Sequence, residues 1–158
     1  MTTIGVTGHQ QLPEGVRIHA EQAITELLRD RPPPVIGLSS LAEGADQIFA
    51  DVLLRSGGIL HAVIPCWGYA STFDEAGRQN YLRLLGEARS VTTLAYAKPS
   101  EQAFDAAGQY IAENCDLLVA IWDGQPARGH GGTADAVEYA RRLGREIAVT
   151  WPDAALRG

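Results

Sequence analysis

Short apolar runs alternate along this chain with longer stretches in which apolar residues recur every three or four positions. The runs at 3–7, 35–38, 59–64, 91–94, 117–122 and 146–151 predict strands, because each is only a few residues long and most are rich in β-branched side chains. Between them, 15–29 sets Ile18, Ala23, Ile24, Leu27 and Leu28 on one helical face, and 43–55 does the same with Ile48, Phe49, Val52 and Leu53. The segments 75–88, 101–114 and 133–143 complete the predicted helices, the last closed by Gly144 in the helix-ending position. Regular alternation of strand and helix predicts a parallel sheet covered on both faces, and strands that are apolar at consecutive positions agree with burial on both sides. The expected fold class is α/β, one three-layer domain over 1–158 with a mainly parallel sheet. Ligands of such sheets sit beyond the carboxyl ends of the strands, near the point where strand order reverses.

The loops that follow the strands therefore carry the candidate chemistry. After the fifth run, Asp123-Gly124 leads toward Gly131-Gly132-Thr133, a glycine-rich turn at the start of the last helix. Bare backbone N–H groups at a helix N-terminus bind phosphate or carboxylate with help from the helix dipole. Asp135 and Glu138 follow inside the first two turns, so carboxylates stand beside a phosphate cradle, a pairing suited to acid–base or nucleophilic work at a sugar. Thr133 also suits a plain N-cap, and Glu138 a surface pair with Arg141 or Arg142.

The other loops add to this. Gly8-His9-Gln10 after the first strand offers close backbone approach and two hydrogen-bonding side chains, or simply a capped turn. Ser39-Ser40-Leu41-Ala42-Glu43-Gly44 after the second is small, polar and feeds straight into a helix, which predicts a second N-terminal anion site; Ser39 or Ser40 with Glu43 equally fits a capping arrangement. Asp46 in that helix start reads as a dipole partner or a ligand contact. Trp67 and Tyr69 beside Gly68 fit stacking on a base, or packing of a lid or core, and Cys66 between them and the strand reads as buried filler.

Composition narrows the classes. A chain of 158 residues that is 46% hydrophobic builds one substantial core, not two. Its formal net charge of −6, with Lys and Arg scattered apart from Arg141, Arg142 and Arg145, leads to the expectation that duplex nucleic acid is not a partner. Cys66 and Cys115 form no CxxC and have no His at ligand spacing, so neither a disulfide framework, nor a metal, nor any cofactor is called for. With no basic-then-apolar leader and no apolar run near the ~18 residues of a span, the expected compartment is the cytoplasm and no membrane partner is expected. The chain has no P-loop motif, no GxGxxG with an acidic residue after the second strand, no GxSxG and no HExxH, which sets aside P-loop hydrolases, nicotinamide dehydrogenases and two common hydrolase classes.

On Val6-Thr7-Gly8-His9, Leu38-Ser39-Ser40-Leu41-Ala42-Glu43-Gly44-Ala45-Asp46, Pro65 and Gly131-Gly132-Thr133, the chain resembles the SLOG superfamily, the Rossmann-like group named for Smf and lonely-guy proteins, and in particular a branch of small stand-alone bacterial members. The resemblance covers essentially the whole chain. It implies a nucleotide or nucleotide-derived ligand with phosphate at Gly131, Gly132 and Thr133, and a homodimer or larger assembly. Lonely-guy enzymes cleave the N-glycosidic bond of a nucleoside monophosphate with an arginine and the glutamate of a PGGxGTxxE motif. Here the proline is missing and Ala136 stands at the glutamate's place. Glu138 is rotated from that place by about 160°, and Asp135 by about 100°, at ~100° per residue. The Asp123-Gly124 and Gly132-Thr133 pairs also look like the layout of nucleoside deoxyribosyltransferases.

Three readings follow. The leading one is a module that binds a nucleotide-derived molecule as sensor or carrier, using Gly8, His9, Ser39, Ser40, Glu43, Gly44, Trp67, Asp123, Gly124, Gly131, Gly132 and Thr133. The alternative is a phosphoribohydrolase or deoxyribosyltransferase in which Asp135, Glu138, Glu43 or Asp123 supplies the carboxylate and Arg78 or Arg89 steadies the phosphate. A DNA-processing role like that of Smf is the third, disfavoured by net acidity and the lack of an appended DNA-binding domain.

Overall fold

The structure, a computed structural model, describes residues 1–126 and 132–152. Among these, the strands β1 (Thr2–Gly8), β2 (Val35–Ser39), β3 (Ile59–Ile64), β4 (Ser90–Thr93), β5 (Leu117–Ile121) and β6 (Glu146–Thr150) alternate with the helices α1 (Glu14–Arg29), α2 (Ala45–Arg55), α3 (Glu75–Glu87), α4 (Glu101–Asn114) and α5 (Thr133–Arg142). All strand pairs are parallel, in the order β4-β3-β2-β1-β5-β6. From β1 the chain steps outward through β2, β3 and β4, then returns across the sheet to β5 on the other side of β1. The reversal of strand order therefore falls between β1 and β5.

Two apolar layers hold the helices to the sheet. On one face, Ile4, Val6, Leu117 and Val119 pack with Val16 and Ile24 of α1, Phe49 and Leu53 of α2 and Leu84 of α3. On the other, Leu38, Val63 and Leu118 pack with Ala107 and Ile111 of α4 and Ala140 of α5. Successive β5 residues serve opposite layers, as the two-residue period of a strand dictates. Each large side chain so buried contributes about 1.5–3 kcal/mol. The expected three-layer α/β domain is what these residues form, with a sheet that is parallel throughout.

Two local departures matter for the site. α2 begins at Ala45 instead of residue 43, because Gly44 has φ 81°, and a Cβ there would collide with the Gln10 carbonyl. A 3-10 turn at Tyr69–Thr72, which no periodicity announces, follows β3. Among the described residues no helix is long and apolar enough to cross a membrane.

Candidate functional site

Parallel pairing brings every strand-to-helix loop to one end of the sheet, and a cleft of about 920 Å³ opens there. That volume suits a small organic ligand. Five segments wall it: the end of β1 at Gly8, the β2–α2 loop with Ser40, Glu43 and Asp46, the 3-10 turn with Tyr69 and Thr72, one face of α4, and the start of α5. Gly8 is required where β1 meets α2, since a Cβ would strike that of Ala45 and lie 2.8 Å from the Ile121 carbonyl.

Among the described residues, the start of α5 is chemically open. Its N-cap is Gly132 (φ 85°), which supplies no side-chain cap, and Thr133 is the first helical residue instead of the cap. Thr133 is 6% exposed and lines the cleft, and neither its hydroxyl nor the N–H groups of Thr133 and Ala134 have a hydrogen-bond partner among the described residues. The first orphan in-helix bond closes only at Ala136, whose N–H donates to the Gly132 carbonyl at 3.1 Å. Asp135 and Arg142 also line the cleft from α5.

The β2–α2 loop is closed by its own atoms. Leu41 adopts φ 60°, a left-handed conformation that costs a non-glycine residue roughly 1–2 kcal/mol. It is held by its N–H donating to the Ser39 hydroxyl (3.1 Å) and its carbonyl accepting from Gln47 Nε2 (3.1 Å). Gln47 also donates to the Gly77 carbonyl (3.2 Å) and accepts from Asn80 (2.8 Å), which ties the loop to α3. The Ala45 N–H donates to the His9 carbonyl and the Gln47 N–H to the Ala42 carbonyl. The start of α2 thus presents a carboxylate instead of bare donors: Asp46 Oδ2 accepts from the Ala42 N–H at 3.3 Å, while Oδ1 has no partner among the described residues. No serine–glutamate capping pair forms; Ser39, fully buried, donates to the Asp46 carbonyl, and Glu43 lies against Gly77 of α3.

Burial pushes the Asp46 carboxyl from its ordinary 3.8 up to about 7, with the Ala42 hydrogen bond pulling the other way. A cleft carboxylate so displaced is a mark of a functional position. Beside it, Tyr69 is 5% exposed, its ring set edge-on to Phe73 (5.0 Å) and Tyr81 (5.5 Å). Burial, with smaller contributions from Asp46, Tyr81 and Cys66, raises the phenol far above its usual range, so it remains a donor. Cys66 is buried behind it, and its thiol is likewise pushed up by burial.

The sequence-derived residues divide by position. Gly8, Ser40, Glu43, Gly132, Thr133 and Asp135 come together around the cleft. Gly131 lies outside the described residues. His9 and Asp123 pair with each other at 3.5 Å behind the cleft wall, with the His9 ring edge-on to Trp151 and the Asp123 carboxylate accepting from the Gln125 N–H, and Gly124 completes that turn. Ser39 and Gly44 shape the β2–α2 loop without lining the cleft. Trp67 is 65% exposed and outside it. Glu138 is an exposed partner of Arg142 at 3.6 Å, and Arg78 pins the 3-10 turn through the Ala70 and Phe73 carbonyls. What the loop-by-loop reading missed is α4. Glu101, Phe104, Asp105 and Gly108 line the cleft at helical spacing, opposite the buried Ala103 and Ala107, and Phe104 gives the cleft an aromatic surface at 42% exposure. A large exposed aromatic and a mid-helix glycine on one face were the available signal.

The sequence matches no family model and no curated protein. Solved structures do match. DNA processing protein A from Streptococcus pneumoniae aligns with TM-score 0.71 and 21% identity over 97% of this chain and 52% of its own. DNA processing protein A from Helicobacter pylori, a single-stranded DNA binder, aligns with TM-score 0.68 and 15% identity over 94% of this chain and 64% of its own. The molybdenum cofactor carrier protein of Chlamydomonas reinhardtii aligns with TM-score 0.56 and 18% identity over 94% of this chain and 75% of its own. The chain spans between half and two thirds of the length of the two DNA processing proteins. These findings correct the expectation, drawn from the net charge of −6, that duplex nucleic acid is not a partner: a protein of this fold binds single-stranded DNA, and net charge, which sums over surfaces that never meet a strand, is no ground for setting nucleic acid aside. At these identities the likeness speaks for the fold, and it agrees with the wholly parallel sheet and its reversal beside β1. By fold, this chain is a Rossmann-like α/β protein similar to the DNA processing proteins and the molybdenum cofactor carrier protein.

Proposed function

We propose that the chain binds a nucleotide or nucleotide-derived small molecule in the cleft, with an anionic group at the start of α5, as a sensor or carrier. The observation that carries this reading is Thr133: nine-tenths buried, with an unpartnered hydroxyl at a helix end whose first two N–H groups are also unpartnered among the described residues. An anion at a helix N-terminus satisfies all three at once. The aromatic surface of Phe104 across the same cleft gives a planar base somewhere to lie.

Calorimetric titration with nucleoside monophosphates tests the reading. Binding that falls about tenfold in Thr133→Val supports it, since that change removes one hydroxyl and keeps the shape. Absence of binding by every nucleotide, together with mass spectrometry finding no small molecule released from the denatured protein, overturns it. Free base appearing in the mixture moves the assignment to N-glycosidic cleavage, for which Asp135 and Glu43 are the sequence-predicted carboxylates that line the cleft. A second reading, motivated by the single-stranded DNA binder of the same fold, gives the cleft one nucleotide of a strand. Salt-dependent binding of a short single strand at an affinity above that of the mononucleotide favours that reading.

A further inference from the structure

Most polar groups of the β2–α2 loop are spent on the loop itself. Ser39, Gln47 and the N–H groups of Leu41, Ala42, Ala45 and Gln47 all have partners within the fold. Against that background two open valences belong to residues that line the same cleft. Among the described residues, Asp46 Oδ1 accepts nothing although Oδ2 accepts from Ala42, and the Tyr69 hydroxyl donates to nothing although its residue is 95% removed from solvent. The two groups are close enough for the carboxylate to influence the phenol, yet no hydrogen bond joins them. Both residues line the cleft, and both are held in place, Asp46 by the loop network and Tyr69 by edge-on contacts to Phe73 and Tyr81.

We propose that Asp46 and Tyr69 form the base-reading end of the cleft: Asp46 Oδ1 accepts an N–H from the amide or amidine edge of a nucleobase while the Tyr69 hydroxyl donates to the neighbouring carbonyl oxygen or ring nitrogen of the same edge. This rests on the nucleotide reading above and adds to it which pole of the ligand lies where. An acceptor and a donor held in one cleft, near enough to influence each other, match an edge that offers one donor next to one acceptor. The aromatic surroundings favour a planar ring: Phe104 lies 6.1 Å from Tyr69, ring centre to ring centre, on the open side. A base N–H also compensates the cost of burying the Asp46 charge, which is what holds that carboxyl well above its ordinary value.

The test compares adenosine, guanosine and uridine 5′-monophosphates with ribose 5-phosphate by calorimetry at pH 8, where Asp46 is ionised, on the wild-type chain, Asp46→Asn, Tyr69→Phe and the control Trp67→Ala. The expected result is tighter binding of at least one nucleotide than of ribose 5-phosphate. Each cleft variant lowers nucleotide affinity by about five- to twenty-fold, the range for one hydrogen bond to a neutral or charged group. The loss is confined to the nucleotide, and Trp67→Ala leaves it unchanged. Tyr69→Phe removes a single oxygen and keeps the packed ring, so a poorly folded Asp46→Asn does not spoil the test. Equal losses for nucleotide and ribose 5-phosphate would show that the pair holds the sugar and overturn the inference, as would nucleotide binding that neither variant weakens. Wild-type protein that binds none of these compounds overturns the nucleotide reading itself, a separate and recognisable failure.

Discussion

Replacing Asp46 with Asn should make the fold more stable at alkaline pH and nearly neutral in effect at acid pH. The carboxyl has an ordinary value of 3.8 and is pushed up to about 7 in the folded chain by burial. The sign follows from which state holds the proton more tightly. The folded state does, so the stabilisation from its bound proton is fully present below about pH 3.8 and is lost as pH rises through about 7. Above that, the folded chain carries a desolvated charge that the unfolded chain carries in water. A displacement of about three pH units at 1.36 kcal/mol each sets a ceiling of about 4 kcal/mol. Asp46 opens to the cleft, and solvent there screens part of the cost, so about 2 kcal/mol is the working figure. Asn preserves an oxygen acceptor for the Ala42 N–H and carries no charge. Urea denaturation should therefore find Asp46→Asn more stable than wild type by about 2 kcal/mol at pH 8.5 and by under about 0.5 kcal/mol at pH 3.5. For a domain of this size the alkaline gain corresponds to roughly 4–8 °C in Tm. A gap between the two proteins that is the same at both pH values would refute the assignment of a strained charge to Asp46. A loss of stability in the variant at pH 8.5 would refute it too. The gain in stability paired with a loss in nucleotide affinity is the exchange expected of a site residue.

Gly8→Ala should destabilise the chain by about 1–3 kcal/mol in urea denaturation, because the added methyl meets Ala45 and the Ile121 carbonyl, neither of which can swing aside. Phe104→Ala should weaken nucleoside monophosphate binding by about five- to ten-fold in calorimetry while leaving stability within about 1 kcal/mol, since the ring is 42% exposed and its use lies in stacking. Glu138→Ala should change neither affinity nor stability by more than about 0.5 kcal/mol, as an exposed pair with Arg142 contributes little; a loss of binding in this variant would return Glu138 to the site.

Which parts of this could be read from the sequence follows from how local each signal is. Strand positions and helix periods depend on residues a few places apart, so β3 and α4 sit where periodicity sets them, at Ile59–Ile64 and Glu101–Asn114. The glycine-rich start of α5 could be read for the same reason. The role of α4 could not, because its cleft face becomes a wall only once β4 leads it across the sheet to sit next to α5. Asp46 stays open between dipole partner and ligand contact because burial is a property of the assembled loop. The left-handed Leu41, the Gln47 amide bonds and the turn at Tyr69–Thr72 together enclose it, and none of them leaves a periodic trace. His9 and Asp123 stand near the reversal of strand order as expected, and what neighbouring positions could not reveal is that they face each other at 3.5 Å.

The central place of β1 has a consequence for how the chain is made. Its one edge pairs with β2 soon after synthesis begins, but the other waits for Leu117, which lies opposite Ile4 and is synthesised roughly a hundred residues later. At about 5–20 residues per second that delay lasts on the order of 5–20 s on the ribosome. During it the nascent chain shows an apolar strand with bare backbone groups along the edge that later meets β5, the kind of template on which wrong strands pair. The last third of the chain is therefore what completes the fold's centre, and a truncation before β5 leaves β1 permanently half-paired.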